Sequence, residues 1–291
     1  MVAQQGGQWY ILPALIVFYV LLVEIVGEKE SRLRLGMRTM GLRNGAFWGS
    51  WALVGLAYSV LTSLILIGTG YAAGFEYFAR SSFGANFALF VIFGMSLVAL
   101  AFLLSTLVDS AKLAQTVGLA AVLLSFVFQG ILSAGYGGLV DCLWMQPILD
   151  WVLAIRYIMQ LYPAFNFSKC FFDIAQMATS TIDARAGKVL PGPGFHWSDL
   201  HKTRPVDFFG FHIQNPPPSQ SILLMLGDLV LFATLALYLD SVMPGQHGSP
   251  QHPMCCLGVG WQGRCCGRKQ TTPLGRAATC FCSELDPTDV L

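Results

Sequence analysis

Long runs of apolar residues, separated by short polar segments, dominate the hydrophobic pattern of the chain. A helix needs roughly 20 mostly apolar residues to cross a hydrocarbon core of about 30 Å. Five segments meet this requirement, at residues 9–26, 46–71, 87–107, 116–134 and 221–239. The pattern therefore predicts an all-α polytopic membrane protein with about five spans.

The segment between the fourth and fifth spans has a mixed pattern. Residues 143–164 are apolar and aromatic, but Asp150 and Arg156 lie in their middle. Placing both charges at depth in a bilayer is costly, so the pattern favours a re-entrant or interfacial helical hairpin, continued through residue 178, over a full span. The remainder up to residue 220 is rich in Pro, Gly and His, which predicts an ordered but irregular cap.

Composition supports a bilayer as the solvent of this chain. Hydrophobic residues make up 55% of it and charged residues only 11%, whereas soluble domains have about a quarter of their residues charged. The net charge of +1 comes without a concentrated basic face, which argues against a nucleic-acid partner.

Basic residues in the loops predict the orientation. The loop after the first span contains five of them: Lys29, Arg32, Arg34, Arg38 and Arg43. By the positive-inside rule this loop is cytosolic, which places the N-terminus on the external or lumenal side and the C-terminus in the cytosol. Residues 135–220 then lie outside. The identity of the membrane is not indicated.

The same basic loop has the pattern of a short amphipathic helix. Leu33, Met37 and Met40 fall at i, i+4 and i+7 and form an apolar stripe. Two favourable i, i+4 pairs are also expected, Glu28 with Arg32 and Glu30 with Arg34. Such a helix either caps a helical hairpin and binds anionic lipid or forms a docking surface for a soluble partner.

The longest of several motifs is EKESRLRLGMRTMGLRNGAFWGSW at residues 28–51. It is followed by FLLSTLVDSAKLA at 102–114, GFHWSDL at 194–200, YLDSVMPGQHGSPQHP at 238–253 and SELDPTDVL at 283–291. In this order the motifs resemble those of subfamily A ABC transporters, and the last one is similar to the family's acidic linker. The resemblance implies an ABC exporter-type transmembrane helix bundle. Members of this family mostly move lipids with ATP.

The resemblance also implies a role for the basic loop as a coupling helix between an ATPase domain and the spans. The residues concerned are Glu28, Lys29, Glu30, Arg32, Leu33, Arg34, Met37, Arg38, Met40, Gly41 and Leu42. The partners implied are membrane lipids, an ABC ATPase domain and a second transmembrane half.

No G-x-x-x-x-G-K-[ST] phosphate-binding loop and no ABC signature motif occur in this sequence. We therefore expect no enzymatic activity, cofactor site or metal site in the chain itself, with ATP and Mg bound by a nucleotide-binding domain missing from it. The expected organisation is a transmembrane domain over residues 1–243 and a cytosolic Cys-rich linker over residues 244–291.

A few other residues are candidates for specific roles. Asp228 lies inside the fifth span, where a carboxylate is either a functional polar site or a partner in an interhelical hydrogen bond. Cys255 and Cys256 are juxtamembrane and are candidates for palmitoylation. Cys142 and Cys170 could form a disulfide if their side of the membrane is oxidising.

Three functions are compatible with these observations. The first is the membrane part of an ATP-driven lipid exporter. The second is a truncated, non-transporting paralogue that assembles with or regulates a full-length transporter. The third is an ion-coupled carrier with Asp228 and Glu24 as titrating groups, which the lack of inverted repeats disfavours.

Overall fold

A computed structural model describes residues 2–133, 150–178, 181–183, 188–190, 194–208 and 211–242 of the chain. These residues contain nine α-helices: α1 (Val2–Glu30), α2 (Leu33–Thr39), α3 (Asn44–Ala72), α4 (Glu76–Arg80), α5 (Phe83–Leu107), α6 (Ala111–Ser133), α7 (Asp150–Gln160), α8 (Pro163–Ala178) and α9 (Pro218–Val242). A 3-10 turn covers Trp197–His201.

Five of the described helices are long and apolar enough to cross a membrane: α1, α3, α5, α6 and α9. They coincide with the five predicted spans and extend most of them by a few residues at their ends. The predicted fold class, a helical membrane bundle with about five spans, is confirmed.

Helix α5 is the most buried of these helices and forms the centre of the bundle. It packs against α1 and α3, and α1 also packs against α6. Small residues allow the close approach of α3 and α5: a Cβ atom added at Gly94 would lie 2.6 Å from the Ser59 Oγ atom, and one at Gly55 would lie 2.7 Å from a Val98 methyl group. The outer faces of α3, α6 and α9 expose large apolar side chains, as expected for surfaces in contact with lipid.

Two shorter helices form the predicted helical hairpin. With 11 residues, α7 is about 16 Å long, too short to cross a bilayer. Pro163 is the first residue of α8, a position where its missing N–H costs nothing. Helix α8 is almost fully buried against α1, α5 and α6, and Phe167 stacks on Phe93 with ring centroids 4.1 Å apart.

The cap is more regular than its composition predicts. Two antiparallel hairpins are present, β1 (Thr181–Asp183) with β2 (Lys188–Leu190) and β3 (Arg204–Phe208) with β4 (Phe211–Asn215). In the second hairpin, β-branched and aromatic residues favour strands despite the neighbouring prolines. Phe195 connects the cap to the bundle, since its backbone N–H donates to the Arg80 carbonyl at 2.8 Å.

By its internal contacts the chain separates into two units, Met1–Ala236 and Leu237–Leu291. The first four spans, the hairpin, the cap and α9 up to Ala236 belong to the first unit. Of the second unit, the structure describes only the final turns of α9, through Val242.

Candidate functional site

The basic loop, Glu28–Leu42, forms a bent connection between α1 and α3 that we call the elbow. Helix α1 continues through Glu30, and Arg32 then adopts a left-handed conformation with φ of 57°. A second turn follows α2 at Gly41, whose φ of 97° suits glycine. The short helix of this loop is α2, whereas its first residues, Glu28–Glu30, belong to α1. The break at residues 31–32 interrupts the helical i, i+4 geometry expected for Glu28–Arg32 and Glu30–Arg34.

Three consecutive side chains at the end of α1 point toward three other helices. Glu28 Oε2 accepts a hydrogen bond from the indole N–H of Trp51 in α3 at 3.3 Å. Glu30 Oε2 accepts one from the backbone N–H of Ala111, the first residue of α6, at 2.7 Å. Glu28 is half-buried, whereas Glu30 stays exposed at the surface while it makes this contact.

Lys29 lies between them and binds the end of α5. Its Nζ atom donates to the backbone carbonyls of Ser105, Thr106 and Val108 at 3.2, 3.3 and 3.0 Å. It also forms an ion pair of 2.7 Å with Asp109 in the α5–α6 turn. The last carbonyls of a helix lack partners within the helix and carry partial negative charge, so the ammonium group serves as a cap for α5.

A second set of contacts attaches the elbow to the start of α3. The Arg34 guanidinium lies over the ring of Phe47, 4.6 Å from its centroid, and 5.3 Å from that of Trp48. Met37 and Leu42 pack against the apolar cluster that contains these two rings. Of the predicted coupling residues, Arg34, Met37 and Leu42 therefore hold the elbow in place.

Several other elbow residues are exposed. Met40 is 82% exposed and Leu33 58% exposed, and Arg32 and Gly41 are exposed beside them. Arg38 belongs to α2, and its side chain lies outside the described part of the structure. The elbow thus presents apolar and basic groups together on a surface attached to α1, α3, α5 and α6.

Buried polar side chains of α8 contact α9 and the residues just before it. The side-chain NH2 of Asn166 donates to the Gln160 carbonyl at 2.5 Å and to Asp228 Oδ2 at 3.1 Å. Lys169 Nζ pairs with Asp173 Oδ2 at 2.6 Å and donates to the Pro216 carbonyl at 3.3 Å. Asn166 is also the first residue of an N-x-S sequence for glycosylation, Asn166-Phe167-Ser168, and its buried side chain is inaccessible in this fold.

Cys170 is the cysteine whose surroundings the structure describes. Cys170 is a free, buried thiol that donates to the Pro218 carbonyl at 3.7 Å. Burial, and to a lesser degree the nearby Asp173, raises the pKa of this thiol far above its ordinary value, so it stays protonated. Cys142, Cys255 and Cys256 lie outside the described residues. Where the structure is described, no three His, Cys, Asp or Glu side chains are grouped to hold a metal ion.

A shallow apolar groove of about 620 Å³ lies on the outer face of α3, near the elbow. It is lined by Ala46, Gly49, Ser50, Ala52, Leu53 and Leu56 of α3 and by Met95 of α5. The lining is almost entirely apolar, and Ser50 is the one lining residue with a hydroxyl group. The groove suits an apolar chain or ring.

Comparison with known proteins places these features in context. A family described as ABC-2 family transporter protein matches residues 7–238. The chain is similar to ABC transporter A family member 1 of Dictyostelium discoideum, with 30% identity over 85% of this chain and 27% of that protein. It is also similar to ABC transporter A family member 2 of Arabidopsis thaliana, with 28% identity over 84% of this chain and 23% of that protein.

A further relative is the Cholesterol transporter ABCA5 of Rattus norvegicus, with 30% identity over 79% of this chain and 12% of that protein. The chain therefore spans between 12% and 27% of the length of these three relatives.

Proposed function

The chain belongs to the ABC-2 family of transporter proteins, with A-family ABC transporters among its relatives, and from this premise we propose that it is the membrane domain of an ATP-driven lipid transporter. The observation that carries the proposal is the elbow, a basic and apolar surface attached to four helices of the bundle. Such a surface can receive a soluble domain and pass its movement to the spans.

The ATPase domain is the proposed occupant of the elbow's outward face. Met40 and Leu33 supply apolar anchors, and Arg32 supplies charge. ATP and Mg are bound by that domain, and a second transmembrane half completes the pathway. The chain's own contribution is to bind lipid and to convert movement of the elbow into movement of the helices.

The proposed orientation places the elbow in the cytosol. Lys29, Arg32, Arg34 and Arg43 give this end an excess of positive charge, and Lys112 at the start of α6 adds to it. The hairpin of α7 and α8 and the cap then lie on the external or lumenal side, as does the N-terminus.

A lipid substrate is supported by the groove and by one relative. The groove on α3 has the size and apolar lining to hold an acyl chain or a sterol ring system, and the rat relative is a cholesterol transporter by name. We propose that lipid enters from the bilayer along this face.

The test uses the complete transporter that contains this chain, purified from membranes and reconstituted into vesicles with a fluorescent phospholipid or sterol. We expect ATP-dependent movement of the lipid, and we expect Met40→Glu to abolish lipid-stimulated ATP hydrolysis. Trp197→Glu is the matched control because Trp197 is 57% exposed in the cap, away from the elbow.

If both substitutions lower lipid-stimulated ATP hydrolysis equally, the elbow is not the docking surface. A different outcome would favour the second function, that of a non-transporting protein that regulates a full-length transporter. In that case the wild-type preparation shows no ATP-dependent movement of either lipid, and its presence changes the activity of a second transporter.

A further inference from the structure

The end of α1 joins three helices through three adjacent side chains. Glu28 binds α3, Lys29 binds the end of α5, and Glu30 binds the start of α6. We propose that these residues form a mechanical junction that makes the α5–α6 turn move together with the elbow. This inference rests on the proposed function, because it assigns the path along which movement of the elbow reaches the spans.

The charges of the junction match the helix ends that they contact. The end of α5 presents unpaired carbonyls with partial negative charge, and the start of α6 presents unpaired N–H groups with partial positive charge. Lys29 and Glu30 carry the complementary signs and are adjacent in sequence. A compact ammonium group with three donors suits three convergent carbonyls better than a planar guanidinium group does.

The contacts with backbone outweigh the ion pair in this junction. The side chain of Asp109 is 69% exposed, and exposed ion pairs contribute little. The three carbonyls that bind Lys29 belong to the last turn of α5 and its C-terminal cap. Lys29 therefore acts chiefly on the end of α5, and Asp109 strengthens the contact only slightly.

The junction reaches both sides of the α5–α6 turn. Val108 accepts from Lys29, and Ala111, three residues later, donates to Glu30. Because α1 continues directly into the elbow, a displacement of the elbow pulls on both anchoring points at once. Glu28 adds the start of α3 to the same unit. We therefore regard Lys29 and Glu30 as positioning residues that transmit force and do not contact lipid or ATP.

The test compares Lys29→Met with Lys112→Met in the reconstituted transporter. Both substitutions remove one positive charge, and Lys112 is an exposed residue beside the same turn. We expect Lys29→Met to lower the lipid moved per ATP hydrolysed by at least about fivefold, the lower end of typical coupling between sites. Lys112→Met should keep the wild-type ratio, and Asp109→Asn should have a smaller effect than Lys29→Met.

Hydrogen exchange provides a readout that does not depend on transport. Lys29→Met should accelerate amide exchange at residues 104–114, and Lys112→Met should not. If Lys29→Met fails to fold, Glu30→Gln tests the same junction, with the same direction of change and a smaller size.

The two proposals fail in different ways. A wild-type transporter without ATP-driven lipid movement overturns the proposed function, while the exchange measurement still decides whether the junction holds the turn. Unchanged exchange at residues 104–114 in the variants overturns the junction. An active wild type with an unchanged transport ratio in the variants also overturns it.

Discussion

Asp228 is a carboxylate buried inside the last span, and its surroundings distinguish two roles. Its Oδ2 atom accepts one hydrogen bond from the neutral amide of Asn166. A single neutral donor stabilises an ionised carboxylate poorly in a low-dielectric environment. This geometry suits a neutral Asp228 side chain that links α9 to α8 by a hydrogen bond. An ion-coupled carrier would instead require Asp228 to gain and lose a proton.

Asp228→Asn therefore tests these roles directly. The amide can still accept from Asn166, so we expect the free energy of unfolding in detergent micelles to change by less than about 1 kcal/mol, since interhelical hydrogen bonds in membranes average about 0.6 kcal/mol. Asn166→Leu should cost more, about 1–3 kcal/mol, because it leaves the Gln160 carbonyl and Asp228 unsatisfied. Wild-type transport with a pH dependence that Asp228→Asn abolishes would instead support the carrier.

Helix α8 depends on a second buried contact, the ion pair between Lys169 and Asp173. Lys169→Met alone leaves a buried carboxylate without its cation, and we expect a loss of about 3–5 kcal/mol. The double variant Lys169→Met with Asp173→Leu replaces both charges by apolar groups and should recover most of that loss. Thermal unfolding of the three proteins in micelles measures this; a double variant as unstable as the single one would show that the pair itself specifies the fold.

The contact between α3 and α5 depends on small residues, and Gly94 is the sharpest case. A Cβ atom there would lie 2.6 Å from the Ser59 Oγ atom, so Gly94→Ala forces two spans apart. We expect a loss of about 1–3 kcal/mol from overpacking. Gly49→Ala is the matched control: nothing lies within 4 Å of its added Cβ, and the higher helix propensity of alanine should keep or raise stability. Equal unfolding temperatures for the two variants would contradict this account.

The elements differ in how well the sequence predicts them, for physical reasons. Spans are set by hydropathy, a local property, and the five predicted segments match the five long helices. The helical periodicity of the elbow predicts a short amphipathic helix, but it does not predict where α1 ends and where α2 begins. The tertiary contacts of Glu28, Lys29 and Glu30 instead extend α1, and the chain then turns at Arg32.

Partners far apart in sequence were beyond prediction from the chain alone. The sequence marks Asp228 as a carboxylate inside a span, but its partner Asn166 lies 62 residues away and no local pattern connects the two. Likewise, residues 102–114 resembled a family motif, yet the contact between Ala111 and Glu30 is visible only in the fold. Charge and hydropathy therefore identify polar residues at unusual positions, whereas the groups that these residues contact depend on how the helices pack.

At the scale of the whole first unit, the elbow and the hairpin lie at opposite ends of α1. Tyr10, near the start of α1, contacts the ring of Phe171 in α8, with centroids 5.6 Å apart. The elbow junction begins 18 residues later, at Glu28, which corresponds to about 27 Å along a helix. We therefore expect a membrane that α1 crosses to separate the elbow from the end of the bundle that carries the hairpin.

Accessibility of single cysteines tests this arrangement and the proposed orientation together. Met40→Cys and Trp197→Cys place thiols at exposed positions of the elbow and the cap, in a background with all native cysteines except the buried Cys170 replaced by serine. We expect a membrane-impermeant maleimide to label Trp197→Cys on intact cells or sealed vesicles and to label Met40→Cys only after permeabilisation. Labelling of both without permeabilisation would contradict the five-span arrangement. The reverse pattern would keep that arrangement but invert the orientation, and it would exclude the elbow as the surface for a cytosolic ATPase domain.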